Sequence, residues 1–518
     1  MTAGVPQTRG EVRLAELVAT LSLAADIGTG KPYEFAQRAA IGAVRLGEAM
    51  GLGERDVKDT YYLTLLRFIG CVGDDDIAAR LLGEDVGTWG AHLPNGSPLA
   101  FLWGVVQNTG KELALPKRVG RLATALTGLP ALKNVLTTHC EVGRALAERL
   151  GLGGRVSQAL TQVYERWDGA GVPNRLKGEA IDLPVRLAHV AFDVEVGRVL
   201  WGAEGTIAMV RERSGKGYDP KVVEAFGREA TGIFEATGST SIWEATLAAE
   251  PGKPTCIAGE QVDVAVRAMG HYADLKSRYT HGHSAGVSRL AEATAKNLRL
   301  PASDARAVAW AGHLHDLGRM GVLATVWDKE GPLTDGEWER VRLHAYHTDR
   351  ILARAPSLAT AAAVAAADHE RLDGSGYHRR VPAAALGAGA RVLAAADVYH
   401  AMTERRPHRP GMPPDQAADE LRKEARAGRL DGDAVEAVLA AAGHKARSQP
   451  QRAGGLSDRE IEVLRLVARG LTNKEVAGAL EISVKTAGHH LENIYGKIGV
   501  TTRAAASLFA MQHDLLSE

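Results

Sequence analysis

The 518-residue sequence predicts an all-α protein. Leu, Ala and Val recur at three- and four-residue spacing along most of the chain, the period that gathers apolar side chains on one helix face. Alternating apolar and polar runs, the mark of half-buried strands, are scarce. Aromatic residues make up only 5% of the chain, which disfavours extensive β-structure. At roughly 150 residues per domain, the length accommodates three or four domains.

Composition narrows the function classes. Hydrophobic residues are 45% and charged residues 24%, an ordinary globular balance. Lys plus Arg and Asp plus Glu each total 62, so the chain as a whole is not a basic nucleic-acid binder and any DNA contact must be local. Cys71, Cys140 and Cys256 have no paired spacing and read as reduced thiols. No basic stretch with an apolar core and cleavage site stands at the N-terminus. The longest apolar run, 358–367, is mostly Ala and too short to cross a bilayer. The expectation is a cytoplasmic protein without a membrane partner. Gly/Pro-rich breaks fall near 87–98, 250–259 and 448–455, and the second and third are taken as domain boundaries.

Taken in order, the chain repeats itself. Glu165-Arg166-Trp167-Asp168-Gly169-Ala170-Gly171-Val172 matches Glu370-Arg371-Leu372-Asp373-Gly374-Ser375-Gly376-Tyr377. Upstream, Leu65 to Gly73 lies over His313 to Gly321. The interval from Leu52 to Arg67 equals that from Leu300 to His315, and Phe35 stands opposite His283 by the same rule.

The chemistry gathers in the second copy. His315-Asp316 follows an apolar run, 305–312, which places the doublet on a helix with dry surroundings. Around it in sequence stand His283, His344, Asp368-His369 and Asp397, all on segments of helical patterning. Imidazole and carboxylate together suit Fe, Mn, Zn or Ni better than Ca. Asp316, set between two ions, could bridge a centre that activates water for phosphoester hydrolysis. Arg319 could hold a phosphate oxygen. Taken singly, each residue reads more readily as a hydrogen-bonded core or surface side chain than as a ligand; the ordered set points to metal.

His315-Asp316-Leu317-Gly318-Arg319, Gly331-Pro332-Leu333-Thr334, His344, the segment His369 to Tyr377 and Ala396-Asp397-Val398 resemble an HD-GYP domain over 260–445. That family, a branch of the HD phosphohydrolases, is helical, holds two or three metal ions and hydrolyses cyclic di-GMP or related cyclic dinucleotides. The resemblance implies that His283, His315, Asp316, His344, His369 and Asp397 are metal ligands, with Asp368 where the family usually has His. It puts Arg319 in place of a phosphate-contacting Lys. Catalysis falls to Asp316 and Arg319. Tyr279 stands where a Glu accompanies a third ion in some members, so two divalent ions, Fe, Mn or another transition metal, are expected. His378 replaces the Pro of the family's name. His281, His313, His347 and His378 have no assigned role.

At matching positions the first copy has Phe35, Arg67-Phe68 and Val163-Tyr164, with His139 opposite His344 and Asp193 near Asp397 after a one-residue shift. It resembles a degenerate HD-GYP domain, suited to packing, dimerisation or sensing a ligand in the old pocket.

Beyond 445, Ser457 followed by Glu460 marks a capping box, Asn473 begins a second helix and Ser483 caps a third near Val484. Leu456 to Glu460, Gly470 to Ala477, Ser483 to His490 and Lys497-Ile498-Gly499-Val500 resemble a LuxR-type helix-turn-helix of four helices. The resemblance turns Lys485, Thr486, His489, His490, Asn493 and Lys497 towards DNA. Leu491, Ile494 and Ile498 belong to the core by spacing. Gly488 and Glu492 stand where relatives carry longer or basic side chains.

The expected layout is a degenerate HD-GYP-like domain over 1–250, an HD-GYP phosphohydrolase over 260–445, a linker at 446–455 and a LuxR-type DNA reader over 456–518. The reading is a transcription regulator, working as a homodimer on DNA and a cyclic dinucleotide. Its rival, resting on Asp368 and His378, is a nucleotide-sensing transcription factor without turnover.

Overall fold

A computed structural model describes residues 11–71, 114–444, 453–513 and 515–516. The break at 87–98 and most of the expected linker lie outside them. The described residues are helical almost throughout, as the apolar periodicity implies. The exception is a two-stranded antiparallel pair, β1 (Glu11–Arg13) with β2 (Cys256–Ala258). This pair modifies the expected boundary at 250–259. Glu250 is buried there and accepts from Arg13 Nε and Tyr62 OH, both at 2.6 Å. The segment between the copies is therefore stitched to the start of the first copy.

The chain divides into two compact units. The first contains Met1–Ser288, Trp310–Ala366 and Arg406–Pro410. Its first copy is built on α1 (Leu14–Gly28), α2 (Phe35–Ala49), α3 (Glu54–Leu66), the long α4 (Leu115–Arg149), α5 (Leu183–Glu212) and α6 (Pro220–Thr237). Leu46, Leu187, Val190, Val194, Val222, Phe226 and Ile233 bury their apolar faces together. From the second copy this unit takes α7 (Glu260–Asp274), the start of α8 (His283–Asn297), the end of α9 (Ala302–Leu314) and α10 (Asp335–Leu352). The capping box of Thr334 and Glu337 starts α10.

The second unit contains Arg289–Ala309, Ala367–Arg405 and Gly411–Glu518. Here α12 (Ala388–Thr403), which follows the short α11 (Ala359–Ala365) of the first unit, packs with α13 (Pro414–Arg426) and α14 (Gly432–Ala441). Leu393, Leu421, Val435 and Val438 are fully buried between them.

The last four helices are α15 (Asp458–Ala468), α16 (Asn473–Ala479), α17 (Val484–Ile498) and α18 (Arg503–Gln512). Capping boxes start α15 at Ser457 and α16 at Thr472; Ser483 Oγ accepts from Thr486 N to start α17. Gly499, at φ +70°, ends α17 in the left-handed region that glycine favours. Val463, Leu464, Val476, Leu491 and Ile494 form the core, and Ile498 packs on it half-buried.

The two copies share their local devices. Asp26 accepts from Ala36 N at 3.2 Å, and Asp274 accepts from Ser284 N at 3.1 Å. Gly70 passes against the His139 carbonyl and Gly318 against that of His344; a Cβ on either glycine would overlap the carbonyl. Glu165 accepts from Asn174 N and Leu176 N, and Glu370 from Arg379, Arg380 and Val381 N. Arg186 pairs with Asp219 at 2.7 Å, and Arg391 with Asp431 at 2.8 Å. Asp26 and Asp274 stand the same distance before their amide partners, and Glu165 and Arg186 are spaced as Glu370 and Arg391.

Candidate metal centre and DNA-reading face

The doublet does not sit within a helix. α9 ends at Leu314, His315 follows it, and Asp316 precedes a 3₁₀ turn, Leu317–Gly321. The apolar run continues into this turn, so periodicity alone overextends the helix. The geometry turns both side chains inward: His315 is 2% and Asp316 3% exposed. His283 opens α8, His344 lies inside α10, and both are buried.

Asp316 is the hub of this set. Its carboxylate lies 3.4 Å from His315 Nε2, 3.6 Å from His283 Nε2, 3.7 Å from His344 Nε2 and 3.2 Å from an Arg319 Nη. Burial alone raises a carboxyl pKa; here Arg319, then His315, His283 and His344, overcome it and hold Asp316 well below the usual range. Burial lowers His344 to about 4, against the pull of Asp316, so its imidazole is neutral at neutral pH. The Nδ1 atoms of His315 and His344 face the carbonyls of Gly312 and Val341, which aims each Nε2 at Asp316. The guanidinium of Arg319 stacks on Trp327 at 4.2 Å, and its buried Nε has no hydrogen-bond partner among the described residues.

The second unit holds the remaining residues. Asp368 and His369 follow α11 in a turn rather than a helix, and Asp397 is buried within α12. Donor atoms of Asp368, His369 and Asp397 lie within 4.8 Å of one another. The ring of Tyr377 stacks on His369 at 4.8 Å, which fixes the imidazole plane.

Both sets fit a transition metal. Neutral imidazole nitrogens and ionised carboxylate oxygens are its usual donors. Separations of 3.4–3.7 Å around Asp316 are too long for good hydrogen bonds but match neighbouring ligand atoms each about 2.1 Å from a shared ion.

The first copy has been refilled. The Arg186 and Arg391 pairs set the register, so Phe192, not Asp193, stands opposite Asp397. Three ligand positions are thus phenylalanines, and their rings pack together: Phe68 on Phe192 at 4.9 Å and Phe35 on Phe192 at 5.7 Å. Two side-chain cations lie against them. Arg67, opposite His315, is 5.0 Å from the Phe192 centroid, and Lys31 Nζ is 4.9 Å from that of Phe35. Burial pulls Lys31 down to about 8. Asp193 instead accepts from Tyr218 OH at 2.6 Å. Tyr164, opposite His369, bonds Cys71 and lies 3.4 Å from His139 Nδ1. An aromatic plug with its own cations occupies the positions that match the candidate ligands of the second copy. Sequence reading missed Phe192 and Lys31; the repeat of Arg186 at Arg391 was the available signal.

On α17, Lys485 is exposed, whereas Thr486, His489, His490 and Asn493 are half-exposed. His489 lies 3.3 Å from Glu492, burial lowers the pKa of His490, and Lys497 pairs with Glu460 at 2.9 Å. Lys485 is an exposed cation in the first turn of α17.

The HD-domain family profile matches residues 100–222 and 241–434, and that of the luxR family of bacterial regulatory proteins matches 455–510. A relative, the 3'3'-cGAMP-specific phosphodiesterase 3 of Vibrio cholerae, is 31% identical over 424 residues, 78% of this chain and 89% of its own. A cyclic di-GMP phosphodiesterase of Thermotoga maritima is 32% identical over 174 residues, 33% of this chain and 46% of its own. The response regulator VraR of Staphylococcus aureus is 43% identical over 61 residues, 12% of this chain and 29% of its own. The crystal structure of a cyclic GMP-AMP phosphodiesterase of V. cholerae superposes with a TM-score of 0.59 at 26% identity, covering 84% of this chain and 99% of that one. No helix among the described residues is long and apolar enough to cross a membrane. The chain belongs to the HD-domain family, carried in two tandem copies of which the first is degenerate, and ends in a DNA-binding domain of the luxR family.

Proposed function

We propose that the second copy is a metal-dependent phosphodiesterase for a cyclic dinucleotide, of the 3'3'-cGAMP or cyclic di-GMP kind named for its relatives, and that it governs the DNA-binding domain of the same chain. In this reading His283, His315, Asp316, His344, Asp368, His369 and Asp397 are the residues that would hold two divalent ions. The observation that carries it is the Asp316 hub: one ionised carboxylate facing three buried imidazoles and one guanidinium.

Two bound ions would supply an ionised water and steady the leaving oxygen. The chain supplies the rest. Asp316, kept ionised by its neighbours, and His344, kept neutral by burial, are in ligand form at neutral pH without rearrangement. Arg319 is held by Trp327 and Asp316, in place to offer a guanidinium N–H to a phosphoryl oxygen. One P–O ester bond breaks as water adds to phosphorus, and the opened ring is the linear dinucleotide.

Lys485, Thr486, His489, His490, Asn493 and Lys497 form the proposed DNA face, with the chain acting as a homodimer on paired half-sites. The test is hydrolysis of 3'3'-cGAMP and cyclic di-GMP by Mn²⁺-loaded wild type and His315→Ala. Metal-dependent turnover lost in His315→Ala supports the reading. Binding without turnover in the wild type replaces it with a nucleotide sensor.

A further inference from the structure

One side chain ties the turn carrying His315-Asp316 to the helix carrying His344. Thr348 lies one turn beyond His344 on α10 and is 0% exposed. Its hydroxyl donates to His315 O at 2.8 Å and accepts from Gly318 N at 2.9 Å. It thus brackets Asp316 from both sides, using the carbonyl of the residue before it and the amide two residues after. Both backbone groups are buried against α10, because Gly318 meets the His344 carbonyl and the Thr348 amide so closely that a Cβ there would overlap them. Without the hydroxyl, the Gly318 amide and the His315 carbonyl would each lose this hydrogen bond to α10.

The first copy is an internal control. Its turn, Arg67 to Gly70, makes the same approach to α4 beside His139. One turn beyond His139, however, stands Gly143. A Cβ at Gly143 would lie 3.9 Å from Gly70 N, at the place where the Thr348 hydroxyl acts in the other copy. The copy with the ligands has the hydroxyl bridge; the copy with the aromatic plug has none and still forms the turn. The bridge is therefore dispensable for the turn's fold and accompanies its chemistry.

We propose that Thr348 is a positioning residue of the metal centre, setting the separation of Asp316 from His344 by clamping the turn to α10. This rests on the reading of the second copy as a metal site. Groups that orient ligands from behind typically contribute 10–100-fold in metal affinity.

The test is Mn²⁺ titration of the full-length protein by calorimetry for wild type, Thr348→Val and Thr348→Ser, with circular dichroism and melting temperature recorded in parallel. Thr348→Val keeps the shape without the hydroxyl and is expected to bind Mn²⁺ about 10–100-fold more weakly while retaining its helical spectrum. Thr348→Ser restores the hydroxyl and is expected within about threefold of wild type. If valine does not fold, Thr348→Ala, a small side chain such as Gly143 shows the scaffold to accept, gives the same comparison. Equal Mn²⁺ affinity in wild type and Thr348→Val, or equal weakening in valine and serine variants, overturns the proposal. No Mn²⁺ uptake by the wild type overturns the metal centre itself, and Thr348's role with it.

Discussion

Asp316 concentrates the chemistry of the second copy, and its neighbours carry separable consequences. His344 has its pKa lowered by burial to about 4 from the usual 6.5. The native state thus binds fewer protons than the unfolded chain between those values. Its contribution to stability is complete above about pH 6.5 and is lost as the pH falls towards 4. For the metal-free protein, the urea midpoint is expected to drop across that window more steeply in wild type than in His344→Gln. Parallel curves would show that His344 is not the buried neutral group described. Arg319 acts on substrate rather than metal: Arg319→Ala is expected to lower kcat/KM about 10–100-fold, the loss of one charge-assisted hydrogen bond, with Mn²⁺ content unchanged. Loss of metal together with activity would move Arg319 from phosphate contact to ligand support. The candidate ligands stand out in the sequence because donor-bearing side chains occur in a characteristic order. Thr348 and Lys31 do not, because a lone Thr or Lys acquires meaning only when the backbone brings it to a partner.

At the scale of elements, helix starts were read better than helix ends. The capping boxes at Ser457 and the cap at Ser483 depend on residues three apart and formed where expected. The positions of His315-Asp316 and Asp368-His369 beyond their helices did not follow from periodicity, since apolar spacing runs on through a 3₁₀ turn or a loop. Two buried loop carboxylates also escaped notice, although the repeat displays both. Glu370 accepts from three backbone amides, so Glu370→Ala should cost about 3 kcal/mol in chemical denaturation. A change under about 0.5 kcal/mol would mean that those amides find other acceptors. In the DNA-binding domain Glu460 both caps Ser457 N and pairs with Lys497. This gives Lys497 a role in the fold beside any in DNA contact.

For the whole molecule, the repeat explains the arrangement: one scaffold, once with the candidate metal-binding set and once with an aromatic plug. The class, the duplication and the two kinds of domain were visible in the sequence. The pairing of β1 with β2 was not, because three-residue strands carry too little pattern. The first copy also supports the second within their shared unit. Glu16 accepts from Ser357 N and Oγ, Tyr33 stacks on Arg350 at 4.1 Å, and Gly28 faces Met320 beside Arg319. The neutral chain concentrates any DNA affinity in its last domain. Binding should weaken as salt rises, and Lys485→Ala should reduce the slope of log affinity against log salt by about 1. Indifference to both would contradict the DNA-binding face assigned to α17. The most direct test of the division between the copies is the Mn²⁺ stoichiometry of the full chain. Two ions per chain are expected in the wild type and in Arg67→Ala, and close to none in Asp316→Ala. Retention of both ions by Asp316→Ala, or four ions in the wild type, would contradict it.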